Sequence, residues 1–176
     1  KSILVIGASL EEKTVGNDIV RNLLSWGVFK TNYCKPFKGK IYLVNPNHKK
    51  ILNKPCYKNV NDIKENIDLA IIAVKSFIVP EILKDCIKKK IKYAIIISAG
   101  FSETGKKGIK LQNKIKQYTK KIRIIGPNCL GIINTSNNMN ASFAPSMPPK
   151  GHVAFISQSG ALADSVIDWS IEQRYG

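Results

Sequence analysis

The sequence predicts an α/β protein built on a doubly wound parallel sheet. Short apolar runs rich in β-branched side chains alternate with amphipathic helical stretches, and polar segments containing glycine or proline follow the apolar runs. This alternation indicates right-handed crossovers and a parallel sheet with helices on its faces. Because ligands bind such sheets at the carboxyl ends of the strands, the polar segments are candidate binding loops. They lie at residues 7–16, 45–50, 74–76, 98–105 and 126–131.

The predicted elements follow one another along most of the chain. Strands are expected at residues 2–6, 40–44, 69–74, 93–98 and 122–125. Helices are expected at residues 15–26, 59–66, 76–87 and 104–120, the first with Thr14 as its N-cap. The uninterrupted apolar run at 69–74 is typical of a parallel strand that is buried on both faces.

The pattern changes in the last third of the chain. Residues 132–150 lack a clear period and are rich in Asn, Ser, Met and Pro, so we expect a linker there. A sixth strand at 151–156, a tight turn at 157–160 and a helix at 161–173 are expected to follow. One strand and one helix cannot bury their own apolar faces, so a second domain is expected to begin here.

Length and composition set the broad class. A chain of 176 residues, 44% of them apolar, suits one domain with part of a second, and we place the domains at 1–145 and 146–176. The chain is expected to be a piece of a longer protein. It contains no run of eighteen apolar residues and no secretory leader, so neither a membrane span nor export is expected.

Cysteine usage and charge narrow the functional classes. Cys34, Cys56, Cys86 and Cys129 show no paired spacing, which argues against a zinc module or a disulfide framework and fits a reducing cytoplasm; no metal site is expected. The net charge is +16, but nearly all of the positive charge is lysine, scattered over predicted helix faces and turns. Specific nucleic-acid recognition favours arginine, so nucleic acid is an unlikely partner, although the positive field would help to recruit a polyanionic small ligand.

The opening stretch predicts a phosphate cradle. The first strand leads into Gly7-Ala8-Ser9 and, a few residues later, into a helix whose N-terminal N–H groups and dipole favour an anion. Dinucleotide-binding proteins carry G-x-G-x-x-G here and an acidic residue at the end of the second strand. In this chain Gly7 stands alone until Gly16, and the second strand ends in Asn45-Pro46, which weakens the interpretation as a nicotinamide-dependent oxidoreductase.

Six segments together resemble the nucleoside-diphosphate-forming acyl-CoA synthetases. They are VIGAS at 5–9 with Val15-Gly16, VNP at 44–46, IIISAGFSETG at 95–105, GPNCLGIIN at 126–134, ASFAPSMPPKG at 141–151 and FISQSGAL at 155–162. The chain is most similar to the ADP-forming acetyl-CoA synthetases, relatives of the succinyl-CoA synthetase α subunit. The resemblance implies a Rossmann-like CoA-binding domain followed by the first strand and helix of a flavodoxin-like, succinyl-CoA-ligase-like domain.

The resemblance also implies which residues contact coenzyme A. They would be Gly7, Ala8, Ser9, Leu10, Val15, Gly16, Asn45, Pro46, Val74, Lys75, Ser76, Ser98, Ala99 and Gly100. Lys75 departs from the family, in which many members carry proline in this segment. Its side chain could be simply solvated, or it could add a positive charge near the CoA phosphates.

The mechanism implied by the resemblance is a phosphoryl relay. Acyl-CoA and phosphate give an acyl phosphate, a histidine takes the phosphoryl group, and ADP accepts it to form ATP. Ser157, Gln158, Ser159 and Gly160 would bind the phosphoryl group, with Asn128 and Cys129 approaching the same region. From the residues alone, a plain helix N-cap at Ser157 or Ser159 is the alternative, as is a buried structural role for Cys129.

The resemblance places the remaining machinery outside this sequence. The phosphohistidine is expected beyond Gly176, since His48 and His152 do not match the family motif, so no catalytic residue is expected within the chain. ADP, ATP and Mg²⁺ would bind only to a nucleotide-grasp domain or a β-type subunit. The chain is thus expected to bind CoA without ligase activity of its own. The alternative is a CoA-binding module of a protein-lysine acetyltransferase fusion or of a CoA-sensing regulator.

Overall fold

The computed structural model describes residues 1–24, 27 and 29–176. The chain divides into two compact units, each assembled from two separate segments. The sheet unit consists of Lys1–Leu10 and Gly39–Cys129, and the hairpin unit consists of Glu11–Lys38 and Leu130–Gly176.

A seven-stranded, mostly parallel sheet forms the sheet unit. Its strands are β1 (Ser2–Ile6), β2 (Lys40–Val44), β3 (Lys50–Ile51), β4 (Lys54–Tyr57), β5 (Leu69–Ile72), β6 (Tyr93–Ile96) and β7 (Arg123–Ile125). Their order is β3-β4-β2-β1-β5-β6-β7, and only the β3–β4 pair is antiparallel. Strand β1 lies at the centre of the sheet. Strands β2 to β4 follow on one side of it, and strands β5 to β7 follow on the other side. The predicted α/β class and doubly wound sheet are therefore confirmed.

The five strands predicted for this sheet are all present, some of them shorter than expected. The strands predicted at 69–74 and 93–98 each end two residues early, because their last residues turn into the loops that follow β5 and β6. The short strands β3 and β4 were not predicted. Their sequences, KI and KPCY, contain lysine and proline and carry no run of apolar side chains.

The helices of the sheet unit are α2 (Val79–Lys88) and α3 (Lys106–Lys116). Pro80 lies in the first turn of α2, where its missing N–H leaves no hydrogen bond unmade. A 3₁₀ turn at Ser76–Ile78 precedes α2, another at Ser102–Thr104 precedes α3, and the helix predicted at 59–66 is only the 3₁₀ turn Val60–Asp62. Since α2 and α3 cross over in the same direction along the sheet, the right-handed rule puts both on one face.

The core of the sheet unit lies between this face and the helices. Side chains of alternate strand positions, such as Leu4, Ile6 and Ile72, pack there with Leu83 of α2 and Ile115 of α3. The intervening strand residues are buried as well, and all five residues of β1 are shielded from solvent. Burial on both faces is what a continuous apolar run predicts for a central parallel strand.

The hairpin unit contains α1 (Val15–Leu23), β8 (Gly131–Asn134), β9 (Met139–Ser142) and α4 (Gly160–Glu172). Thr14 is the N-cap of α1, as predicted, and its side chain accepts a hydrogen bond from the Asn17 N–H. The predicted helix extends to residue 26, but residues 25 and 26 lie outside the described residues.

The prediction of a linker at 132–150 is wrong. Strands β8 and β9 pair antiparallel, and β9 packs against α1. The buried side-chain amide of Asn22 in α1 donates to the carbonyls of Ser142 (2.9 Å) and Ala144 (2.8 Å). The N–H groups of the buried Asn22 amide are satisfied by main-chain carbonyls, and a count of apolar residues does not reveal such a contact.

The prediction of a sixth strand at 151–156 is also wrong. The described residues of this segment form no strand, and Val153 and Ile156 are 61% and 95% exposed. A strand needs a neighbour to pair its N–H and C=O groups, and the described residues of the hairpin unit supply none at this position. The helix predicted at 161–173 is present as α4. In the described part of the chain, no helix has the length and apolar character needed to cross a membrane.

Candidate functional site

The loop after β1 is fixed by the strands on both sides of it. The Gly7 N–H donates to the carbonyl of Val44 in β2 at 3.0 Å. Gly7 has φ of +89°, and a Cβ built there would stand 2.2 Å from the carbonyl oxygen of Ala73 in the loop after β5. Glycine is therefore required here because the two loops touch, and its contact with CoA stays a prediction. The Gly7 N–H is already engaged, so any phosphate would bind to groups further along the loop.

Asn45, at the end of β2, is a positioning residue. Its Nδ2 donates to the Ala8 carbonyl at 2.7 Å, and its Oδ1 accepts from the Asn47 N–H at 2.9 Å. A dinucleotide-binding fold would place a carboxylate here to accept the ribose hydroxyl. The Asn45 amide has a different role, because its hydrogen bond to the Ala8 carbonyl joins the loops after β1 and β2. Pro46 follows it and is exposed.

Ser98 joins the loops that follow β5, β6 and β7. Its hydroxyl accepts a hydrogen bond from the Val74 N–H at 3.1 Å, and its carbonyl accepts one from the Asn128 N–H at 3.0 Å. Gly100 abuts Ser76, whose Oγ lies 2.5 Å from where a Cβ of Gly100 would stand. The predicted binding loops at 74–76, 98–105 and 126–131 are thus in contact with one another, and the Ser98 hydroxyl is already engaged in a hydrogen bond that holds them.

Several side chains remain accessible at this edge of the sheet. Leu10 is 47% exposed, Lys75 and Ala99 are exposed, and Ser9 and Ser76 are half-buried. Residues 7–10, 45–49, 73–76 and 97–101 contain no carboxylate, but Glu11 and Glu12 follow in the loop after β1 and Glu103 in the loop after β6. An exposed ammonium in the β5 loop, together with hydroxyls and main-chain N–H groups, suits a polyanionic ligand such as coenzyme A.

Val15 and Gly16 belong to the hairpin unit, where they begin α1. Val15 is partly exposed and Gly16 is buried. Their contribution to a CoA site stays a prediction.

The turn at Ser157–Gly160 begins α4 as predicted, although no strand precedes it in the described part of this segment. The Ser157 hydroxyl accepts from the Ser159 N–H at 3.0 Å, and the Ser159 hydroxyl accepts from the Leu162 N–H at 3.3 Å. Ser159 is thus the N-cap of α4, which is the plain structural alternative that the residues left open. Phosphoryl binding by these residues stays a prediction, and Asn128 lies in the other unit.

Glu103 was missed by the sequence reasoning. Its Oε1 accepts hydrogen bonds from the N–H groups of Gly100 (2.6 Å) and Phe101 (3.1 Å). Partial burial opposes the ionisation of Glu103, but the hydrogen bonds from the N–H groups of Phe101, Glu103 and Gly100 outweigh it, and the pKa is lowered. One pattern in the sequence could have identified it. Glu103 follows Gly100 by three positions at the start of a turn, and a glutamate at this spacing accepts a main-chain hydrogen bond in a capping box.

The other candidates occupy structural or peripheral positions. The Cys129 thiol donates to the Ile96 carbonyl at 3.4 Å, which supports a structural role. His48 is half-buried in the turn after β2, and His152 is exposed. Within the described ranges, no group of three or more His, Cys, Asp or Glu side chains could hold a metal ion.

Comparison with known proteins agrees with this site. Residues 1–135 match the family model described as "CoA binding domain". The chain is 49% identical over 170 residues to an ADP-forming acetate–CoA ligase of Methanocaldococcus jannaschii, covering 96% of this chain and 22% of the relative. It is 39% identical over 178 residues to the α subunit of ADP-forming acetate–CoA ligase II of Pyrococcus furiosus, covering 100% of this chain and 36% of that subunit.

A solved structure shows the same architecture. Acetyl-coenzyme A synthetase 1 of Ca. Korarchaeum cryptofilum, in complex with phosphate and ADP, superposes with a TM-score of 0.89 at 35% identity and covers 99% of this chain and 36% of that one. The chain therefore spans about a fifth to a third of the length of these proteins. It belongs to the CoA binding domain family, in the form found in ADP-forming acid–CoA ligases.

Proposed function

We propose that this chain is the CoA-binding portion of an ADP-forming acyl-CoA synthetase, with acetyl-CoA as the expected acyl-CoA. The observation that carries the proposal is the family match over residues 1–135, which spans the loops after β1, β2, β5 and β6. The overall reaction would convert acyl-CoA, ADP and phosphate into the free acid, CoA and ATP. The relatives are ligases, which favours this function over an acetyltransferase fusion or a regulator.

In this proposal the sheet unit binds CoA and contributes no reacting group. The β1 loop, from Ala8 to Leu10, would meet the diphosphate with main-chain N–H groups and the Ser9 hydroxyl. The exposed ammonium of Lys75 would add a charge to this polyanion. Asn45 and Ser98 would contribute indirectly, because their hydrogen bonds described above hold the loops in position.

The remaining steps are assigned to other parts of the enzyme. The Ser157–Gly160 turn would receive the phosphoryl group on the N–H groups that begin α4. The phosphohistidine and the nucleotide-grasp module, with ADP and Mg²⁺, would lie outside this sequence, either in the same polypeptide or in a β-type subunit. The cysteines at 34, 56, 86 and 129 are free thiols, which supports a reducing compartment such as the cytoplasm.

The domain boundary at residue 145 stays part of the proposal. The family match ends at residue 135, ten residues before it. One residue after the proposed boundary, the Ser146 hydroxyl donates a hydrogen bond to the Phe29 carbonyl at 3.1 Å, and both residues belong to the hairpin unit. That contact lies within one compact unit and does not locate a boundary, so residue 145 stays the proposed position.

Calorimetric titration of this chain with CoA, dephospho-CoA and NAD tests the proposal. We expect CoA to bind most tightly, dephospho-CoA more weakly and NAD not at all. A preference for NAD, or no binding of CoA, would overturn it. A coupled assay for acyl phosphate or ATP should give no product, and product formation by this chain alone would contradict the assignment of catalysis to other parts of the enzyme.

A further inference from the structure

The loop after β6 depends on side chains for its main-chain hydrogen bonds. The N–H groups of Gly100 and Phe101 both donate to Oε1 of Glu103, at 2.6 and 3.1 Å. The next N–H, that of Ser102, donates to Oε1 of Gln112 in α3 at 3.1 Å. Three successive N–H groups thus have side-chain acceptors, so the path of the loop is set by Glu103 and Gln112.

Successive N–H groups of this kind form a concave site for an anion. Here the carboxylate of Glu103 fills that site from within the protein. The N–H groups of Gly100 and Phe101 are consequently engaged before any ligand arrives. The loop can contribute its shape and surface to a ligand, but these two groups are not free to bind a phosphate.

Both ends of the Gly100–Phe101 segment are pressed against neighbouring elements. The Phe101 side chain is fully buried, and its carbonyl touches α3 so closely that a Cβ on Gly108 would overlap it. Gly100 abuts Ser76 in the loop after β5. A displacement of Gly100 would therefore be passed on to Ser76 and to its neighbour Lys75.

We propose that Glu103 is a positioning residue for the CoA site, because its carboxylate fixes Gly100 against Ser76 and thereby forms the β6 and β5 loops in advance of binding. This inference rests on the proposed function. Preformed loops bind more tightly because no ordering of the loop accompanies binding. Glu103 would contribute to affinity in this way without contacting CoA.

The first test compares CoA affinities by calorimetry on this chain. We expect Glu103→Ala to weaken CoA binding by about tenfold. Glu103→Gln should stay within about threefold of the wild type, because its amide oxygen can still accept both hydrogen bonds. Glu81→Ala removes an exposed carboxylate of α2 that pairs with Lys84, and it should leave the affinity unchanged.

The proposal is overturned if Glu103→Ala binds CoA as the wild type does, or if Glu81→Ala weakens binding equally. Loss of affinity in Glu103→Gln as large as in Glu103→Ala would also contradict it. Should Glu103→Ala be too unstable to titrate, Glu103→Asp replaces it. The shorter side chain withdraws the carboxylate from Gly100, so the same loss is expected.

A second measurement separates this inference from the proposed function. Amide hydrogen exchange without any ligand should quicken at Gly100 and Phe101 in Glu103→Ala, while Ala94–Ile96 in β6 stay protected as in the wild type. Unchanged exchange at Gly100 and Phe101 would overturn the role of Glu103. Failure of the wild type to bind CoA would instead overturn the proposed function.

Discussion

The side-chain amide of Asn45 donates a hydrogen bond to the main-chain carbonyl of Ala8, with 2.7 Å between Nδ2 and O. This bond joins the loop after β2 to the loop after β1. Aspartate has nearly the same shape but no N–H to donate, and it would bring a negative charge next to the Ala8 carbonyl. The substitution Asn45→Asp therefore tests whether this hydrogen bond must hold the β1 loop in place.

We expect Asn45→Asp to lower the free energy of unfolding by about 1–3 kcal/mol, since it leaves the Ala8 carbonyl unpaired. CoA affinity should fall by about tenfold because the loop that meets the diphosphate loses its support. Urea denaturation and calorimetry measure the two effects. Asn47→Asp makes the same change on an exposed side chain two residues away, and an equal effect there would contradict the interpretation.

Gly7 should tolerate no side chain. Alanine at this position would have φ of +89° and a Cβ 2.2 Å from the Ala73 carbonyl oxygen. We expect Gly7→Ala to destabilise the protein by more than about 3 kcal/mol, the range of severe steric substitutions.

Gly105→Ala is the matched control for Gly7→Ala. Gly105 has a similar φ of +82°, but nothing in the described part of the chain lies within 4 Å of where its Cβ would stand. Gly105→Ala should therefore cost only the backbone strain of this conformation (φ +82°, ψ −155°), about 1–3 kcal/mol, without the steric overlap. Equal losses of stability in urea denaturation would show that the contact between the two loops is unimportant.

Lys75 should affect CoA binding through its charge. It is exposed in the loop after β5, and Lys75→Ala is expected to weaken CoA binding by about three- to tenfold at low salt, with a smaller effect at high salt. If Lys75 faces the 3′-phosphate, the affinity for dephospho-CoA should change much less. Lys110→Ala removes an exposed lysine of α3 and should have no effect, so an equal loss there would indicate only the general positive field.

Asp68 should stabilise the fold against acid. Hydrogen bonds from the Ser2 N–H (2.7 Å) and the Ser2 hydroxyl (2.9 Å) favour the ionised carboxylate of Asp68 and lower its pKa. A carboxyl group with a lowered pKa adds stability that is fully present above its unfolded value of 3.8 and is lost as the pH falls through its folded value.

Asp68→Asn should accordingly flatten the pH dependence of stability between about pH 4 and pH 2. Thermal unfolding over this range measures it. Glu65→Gln removes an exposed carboxylate of the same loop and should keep the slope of the wild type. A wild-type slope in Asp68→Asn would show that the hydrogen bonds of Asp68 do not contribute.

Asn22 should be essential to the hairpin unit. Its buried amide donates to the carbonyls of Ser142 and Ala144, and aspartate could donate to neither. We expect Asn22→Asp to lower the free energy of unfolding by about 2–3 kcal/mol, against little change for the exposed Asn137→Asp. Residues 132–150 acting as a free linker would instead leave stability unchanged in both variants, as chemical denaturation would show.

The parallel sheet was predictable because burial on both faces forces apolar runs. Strands such as β1 and β5 consist wholly of apolar residues or nearly so, and their signal does not depend on what surrounds them. The hairpin β8–β9 gave no such signal. Asn140 and Ser142 are buried in it, and they are stabilised by hydrogen bonds to the Ser146 carbonyl and to each other. Such pairings form only in the folded chain.

The candidate site was predictable in its location but not in the roles of its residues. Loops at the carboxyl ends of β1, β2, β5 and β6 follow from the topology. That Asn45 and Ser98 hold other loops, and that Glu103 occupies two N–H groups, depends on distances between residues far apart in the sequence or on the path of the loop. At residues 151–156 the sequence predicted a strand that the structure does not form. An apolar segment becomes a strand only where a neighbouring strand is available for pairing.

The hydrogen bond between Asn22 and Ser142 joins residues 120 positions apart in the sequence. During synthesis on the ribosome, α1 emerges long before the β8–β9 hairpin, and strands β2 to β7 are translated in between. The hydrogen bonds between α1 and the end of β9 therefore cannot form until residue 142 has left the exit tunnel. Until then the hairpin unit is incomplete, and incompletely packed intermediates of this kind are prone to aggregate.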